Sequence, residues 1–151
     1  MSYNYEALQQ KGNEWMRRAS DSLVAEPWVG TFWTPDCVLQ FSNAPEVTGR
    51  GAIMEFFSSQ FPHLESMKHS IVGLGERDHL IYLRSSITYR AKGDPEHKDI
   101  IIPAFAVFFF PDELTVDGGF DKMSRFEVYL NPAPLQERIA EIMKSAGEGP
   151  Q

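Results

Sequence analysis

Three side chains in this sequence have the type and setting for proton chemistry: His69, Glu127 and Tyr89. His69 opens the strand-like run His-Ser-Ile-Val-Gly-Leu, and an imidazole can take or give a proton near neutral pH. A histidine there can equally be satisfied by a backbone carbonyl at a strand edge. Glu127 interrupts an apolar stretch, so it stands on an outer face, at a subunit interface, or inside with a raised pKa suited to general acid or base work. The alternation of Phe126, Val128 and Leu130 against Arg125, Glu127 and Tyr129 favours the outer position, where Arg84 on a neighbouring strand would be an ordinary charge partner. A one-residue slip would exchange the two faces. Tyr89 closes another strand-like run and offers a hydroxyl to assist. His63, His79 and His97 lie in turn-like polar contexts and are expected to be solvated, and Asp36 after Pro35 reads as a turn acid.

The elements that must position these groups follow from apolar spacing. Tyr5, Leu8, Trp15, Met16, Ala19 and Leu23 recur at three- and four-residue steps, which predicts an amphipathic helix over 5–23 with Gly12 as an interruption. A short segment runs from Trp28 to Trp33, and Cys37–Phe41 reads as a strand closed by Ser-Asn-Ala-Pro. Ile53, Phe56, Phe57, Gln60 and Phe61 define a second helix that should stop at Pro62. Four strands are expected from His69, Leu80, Ile100 and Lys122, with breaks at Gly75–Asp78, Lys92–Pro95 and Pro111–Gly119. Pro132 and Pro134 admit a last helix over 135–144, with residues 147–151 frayed. Helices first and an antiparallel meander after them make an α+β architecture.

The strand Ile100–Phe110 is apolar on both faces, as a covered strand should be. Ile102, Ala104, Ala106 and Phe108 share one face, and the two alanines leave room for that face to border a cavity. Trp15, Phe41, Phe57, Ile87, Phe126 and Val128, with Ala104 and Ala106, are the residues expected to wall an apolar ligand site.

At 151 residues the chain is expected to form one domain, 1–151. Its net charge of -7 and scattered basic residues argue against nucleic acid or an anionic membrane as partner. Cys37 is the single cysteine, so no internal disulfide is expected, and no Cys/His spacing suggests a metal. The N-terminal residues do not read as a secretory signal, and a cytoplasmic location is expected.

Four stretches carry a family resemblance: Phe32-Trp-Thr-Pro-Asp-Cys-Val-Leu-Gln-Phe, Gly49-Arg-Gly-Ala-Ile-Met-Glu-Phe-Phe, Met67-Lys-His-Ser-Ile-Val-Gly and Phe126-Glu-Val-Tyr-Leu-Asn-Pro. Together they resemble the SnoaL-like, nuclear transport factor two-like superfamily, and the last two look most like its fungal SnoaL-like members. The resemblance implies a cone: a curved antiparallel sheet wrapped around N-terminal helices. It also implies a homodimer through the outer sheet face, here marked by Tyr82, Thr88 and Tyr129. By the same resemblance, the catalytic places of limonene epoxide hydrolases fall on Ile87, Ser85, Val128, Leu39 and Phe41, which cannot perform that chemistry. His69 resembles a pocket histidine of scytalone dehydratase, whose second histidine falls near Ala104 or Ala106. The catalytic Asp of SnoaL-type cyclases falls on Val128, or on Glu127 if the register slips.

Two functions are therefore expected. One is a cofactor-independent isomerase, cyclase or dehydratase acting on an apolar, carbonyl-bearing small molecule, with His69 as proton carrier helped by Tyr89 or Glu127. The other is a non-catalytic small-molecule-binding or structural dimer of the same fold. A protein-interaction adaptor is a third and weaker expectation. A cavity of roughly 300 Å³ or more, with His69 and a carboxylate converging on it, would favour catalysis.

Overall fold

The computed structural model describes residues 5–111 and 122–147. The expected break at Pro111–Gly119 and the expected tail at 147–151 fall largely outside them. Helix α1 spans Tyr5–Arg18, with Glu6 in its first turn and Arg17 and Arg18 in its last, each matched to the helix dipole. It ends earlier than its apolar periodicity suggests. Ser20–Ser22 form a 3-10 turn, and Leu23 follows in the left-handed region at φ 57°. That conformation costs a bulky residue roughly 1–2 kcal/mol, and it turns the chain back toward the core. Helix α2, Ala25–Phe32, follows and buries Trp28, Val29 and Phe32.

Strand β1 covers Trp33–Phe41 and β2 is the short Val47–Thr48. Pro35 sits where the β1 register shifts between Trp33 and Val38, a break in the ladder that tolerates its missing N–H. Helix α3, Arg50–Gln60, starts after Gly49, whose φ of 93° suits glycine alone. The Arg50 guanidinium donates to the Trp33 carbonyl at 2.5 Å and ties α3 to β1. Strands β3 (Leu64–Arg77), β4 (Leu80–Ala91), β5 (Ile100–Phe109) and β6 (Met123–Leu130) form the expected antiparallel meander. The sheet has six strands in the order β2-β1-β6-β5-β4-β3, and β1 runs parallel to β6. Helix α4, Ala133–Gly147, closes the described chain.

The helices and the inner sheet face enclose one continuous core. At one end it is filled by edge-to-face aromatics: Trp15 on Phe32 and Phe108, both with centroids 5.3 Å apart, and Trp33 on Phe126 at 5.7 Å. Leu39, Ile53, Leu83 and Ile102 are almost fully enclosed, and each such side chain contributes about 1.5–3 kcal/mol relative to exposure. The opposite face of the sheet carries Arg84, Ile101, Phe105 and Tyr129, all exposed.

Candidate active site

Toward its other end the core is hollow. A cavity of about 230 Å³ lies between the inner sheet face, α2, α3 and α4. It is smaller than the roughly 300 Å³ mark set for a catalytic pocket. Register explains its wall. His69, Ile87 and Ile102 lie in one row across β3, β4 and β5, and Met67 and Tyr89 form the next row. Five of these, with Phe126, Val128 and Leu130 of β6, line the cavity, and Trp28, Phe57 and Phe61 line it from the helices.

His69 reaches the wall with a partner the periodicity did not suggest. Its Nδ1 is 2.5 Å from Asp21 Oδ1, and its backbone N–H donates to Asp21 Oδ2 at 3.0 Å. Both side chains are nearly enclosed, with 10% of His69 and 7% of Asp21 exposed. A carboxylate on Nδ1 places the ring proton there and leaves Nε2 as the atom able to accept another. Asp21 reads as a polar-face residue if the first helix runs to Leu23. Because α1 stops at Arg18, the 3-10 turn rotates Asp21 inward instead. The signal available was the run Ser20-Asp21-Ser22, three residues whose side chains compete for backbone hydrogen bonds and favour helix ends.

Tyr89 lines the same cavity. Burial, and secondarily the negative charge of Asp21, push its phenol above its ordinary value of 10.0, so it remains a neutral donor through the physiological range. Among the described residues lining the cavity there is no Lys, Arg, Asp or Glu; its other polar members are Ser20, Gln60 and Gln136.

Glu127, expected as a catalytic carboxylate, is placed elsewhere. It alternates with the cavity-lining Phe126 and Val128 and therefore points to the outer face. There it accepts hydrogen bonds from Arg125 Nε and the Tyr129 hydroxyl, both at 2.7 Å, and Arg125 also donates to Glu46. The Arg125 and Tyr129 hydrogen bonds hold its carboxyl below the usual range, the opposite of what a general acid needs. Arg84 is not its partner: Arg84 stands opposite Phe105, and Glu127 opposite Val107.

Of the expected wall, Phe41, Phe57, Ile87, Phe126 and Val128 line the cavity, whereas Trp15, Ala104 and Ala106 do not. The alanines are buried, but their longer neighbours Ile102, Val128 and Leu130 are the side chains that reach the hollow. Trp15 belongs to the packed aromatic end.

Helix α4 covers the mouth with Leu135, Gln136 and Ile139, yet none of its residues is fully buried. An ion pair holds it. Arg138 donates Nε to Asp94 Oδ2 at 3.0 Å and Nη2 to Oδ1 at 2.5 Å, while Asp94 also accepts the backbone N–H groups of Glu96 and Lys98. These contacts hold the Asp94 carboxyl well below the usual carboxylate range, the Arg138 bond contributing most. No group of three or more His, Cys, Asp or Glu converges to hold a metal ion among the described residues. No described helix is long and apolar enough to cross a membrane.

Solved structures share this fold at low identity. A protein assigned as a SnoaL-like polyketide cyclase from Jannaschia sp. CCS1 superposes with a TM-score of 0.65 at 12% identity, covering 93% of this chain and 96% of its own. AclR, assigned as a hydroxylase, from Streptomyces galilaeus gives 0.64 at 13%, covering 90% and 96%. TerC, crystallised with polyporic acid, gives 0.63 at 11%, covering 89% and 98%. No curated protein sequence matches the chain. The sequence pattern of the SnoaL-like domain family matches residues 17–117, more than half of the chain, and with the curved sheet, the helical layer and the hollow inner face this chain belongs to the SnoaL-like family.

Proposed function

We propose that the chain is a small-molecule enzyme that moves protons on an apolar, carbonyl-bearing substrate: an isomerase, cyclase or dehydratase that works with side chains alone. The observation that carries this reading is the enclosed Asp21–His69 pair at the wall of an otherwise apolar cavity. His69 Nε2 takes a proton from the carbon next to the carbonyl. The electron pair of that C–H bond becomes the carbon–carbon π bond of an enolate as the carbonyl π pair moves onto oxygen, where the neutral Tyr89 hydroxyl is the donor able to meet the developing charge. Asp21 orients the imidazole through Nδ1 and stabilises the imidazolium that forms. Return of the proton to the same or another carbon completes an exchange or an isomerisation. The low-identity likeness to cyclase- and hydroxylase-assigned structures, and to TerC crystallised with polyporic acid, supports a ring-bearing organic ligand.

The outer sheet face, with Ile101, Phe105 and Tyr129 exposed and Tyr82 tilted against Phe105, is proposed as the homodimer surface. A cytoplasmic location completes the reading. The test is proton exchange: cyclic aryl ketones in D2O, followed by NMR, should lose α-hydrogen signal faster with the protein than with His69→Gln. Equal rates across the ketone panel would return the chain to the second reading, a ligand-binding dimer, which the largely apolar wall favours.

A further inference from the structure

Ser20 and Ser22 flank Asp21 in the same 3-10 turn, but they use their hydroxyls differently. Ser22 Oγ donates to the Ala19 carbonyl at 2.7 Å. Ser20 is 5% exposed, and its Oγ is sealed from solvent with no hydrogen-bond partner. An enclosed hydroxyl left unpaired is a standing cost to the fold, and at this position Ala would remove it. Ala19, next in the chain, is completely enclosed and carries no such group. Ser20 lines the cavity one residue from the carboxylate that holds His69. Trp28, which also lines the cavity, has its Nε1–H enclosed and unpaired as well.

From this we infer that Ser20 is a substrate-recognition residue, its hydroxyl reserved for an acceptor oxygen of an uncharged ligand at the His69 end of the cavity. The inference rests on the proton-transfer reading for the place of the reacting carbon. The chemistry of the wall sets the ligand class. The unpaired hydroxyl of Ser20 at the wall of the hollow and the neutral Tyr89 phenol call for acceptors. A carboxylate or phosphate would find no Lys or Arg among the described lining residues, and Asp21 stands behind His69 with charge of the same sign. A ketone, quinone or cyclic ether on an apolar ring system satisfies both conditions. A serine side chain moves among its three staggered χ1 positions at small cost, so a ligand oxygen in the hollow can draw the hydroxyl out of its sealed position.

The experiment compares three two-ring probes by calorimetric titration: 1-tetralone, its hydrocarbon tetralin, and tetralin-1-carboxylate. The wild type should bind the ketone tightest and the carboxylate weakest. Ser20→Ala should weaken the ketone roughly five- to tenfold, the worth of one hydrogen bond, while leaving tetralin unchanged and holding or raising Tm. Ser20→Thr, which keeps the hydroxyl, should retain the ketone preference. Equal losses for ketone and hydrocarbon, a wild type that does not separate them, or a Ser20→Ala protein that melts earlier or fails to fold would each overturn the inference, because the hydroxyl would then be structural or idle. His69→Gln separates the two readings. Lost proton exchange with an intact ketone preference assigns the proton transfer to His69 and supports Ser20 as the recognition residue, whereas a Ser20→Ala protein with wild-type exchange and wild-type ketone affinity sinks the recognition alone.

Discussion

Two carboxylates in this protein are each held by a nitrogen donor, and they sit on opposite sides of the same sheet. Asp21 is enclosed, binds His69 through both its oxygens, and stands behind the wall of a hollow. Glu127 lies on the outer face in a network with Arg125, Glu46 and Tyr129. The outer network gives each of its oxygens a donor and holds the carboxyl below its usual range. The inner pair engages one imidazole nitrogen and leaves the other available. Side-chain type does not separate them; what does is which face of the sheet they meet and whether a cavity adjoins them.

The largest effect that would sharpen this contrast is on proton transfer. His69→Gln should lower the exchange rate of a bound ketone by about 10²–10⁴-fold, the usual worth of a positioned acid–base group, as read by NMR in D2O. Asp21→Asn should cost less, about 10²-fold, because the imidazole remains but its tautomer and orientation are no longer fixed. If Glu127→Gln slowed exchange as much as Asp21→Asn, the contrast would be broken.

Tyr89→Phe comes next, at roughly tenfold on the same exchange rate. It also has a pH signature. The native fold keeps the Tyr89 proton to higher pH than the unfolded chain does, so this contribution to stability is complete below about pH 10 and is lost as pH rises beyond it. Thermal melts above pH 10 should therefore fall less steeply for Tyr89→Phe than for wild type.

Asp94→Asn should lower Tm at neutral pH. The sign follows from a depressed carboxyl: its stabilisation is present above the unfolded value near 3.9 and is lost as pH falls further, so mutant and wild type should converge in acid. Smallest of all is Glu127→Gln, expected to leave exchange unchanged and to alter stability by no more than about 1 kcal/mol, as a partly solvated surface pair does.

Much of this was legible in the residues. The order of the meander from β3 to β6 follows from apolar runs separated by turn residues, though β3 begins at Leu64 rather than His69 and continues through Gly75, where a break was expected, to Arg77; α3 follows from the stripe Ile53, Phe57 and Phe61. His69 was legible as a wall residue, and so were Phe41, Phe57, Ile87, Phe126 and Val128. Helix α2 was hidden by Pro27 and Gly30, whose local preferences are overridden by burial of Trp28, Val29 and Phe32. The parallel pairing of β1 with β6 joins segments far apart in the chain, which local spacing does not encode. Asp21 was hidden because helical periodicity continues past the point where the helix stops. The 3-10 turn at Ser20–Ser22 then decides which way the carboxylate faces.

Helix α4 carries its own consequence. With no fully buried residue, it is tied to the body by the Arg138–Asp94 ion pair and by Leu135 packed against the core, and it joins no ladder of the sheet, so its opening would leave the strands paired. A guest that rests against Leu135 and Ile139 fills the space beneath that helix and favours its attached form. Occupancy of the hollow and docking of the C-terminal helix are then one linked equilibrium, and slowed amide exchange along 133–147 becomes a report of ligand capture.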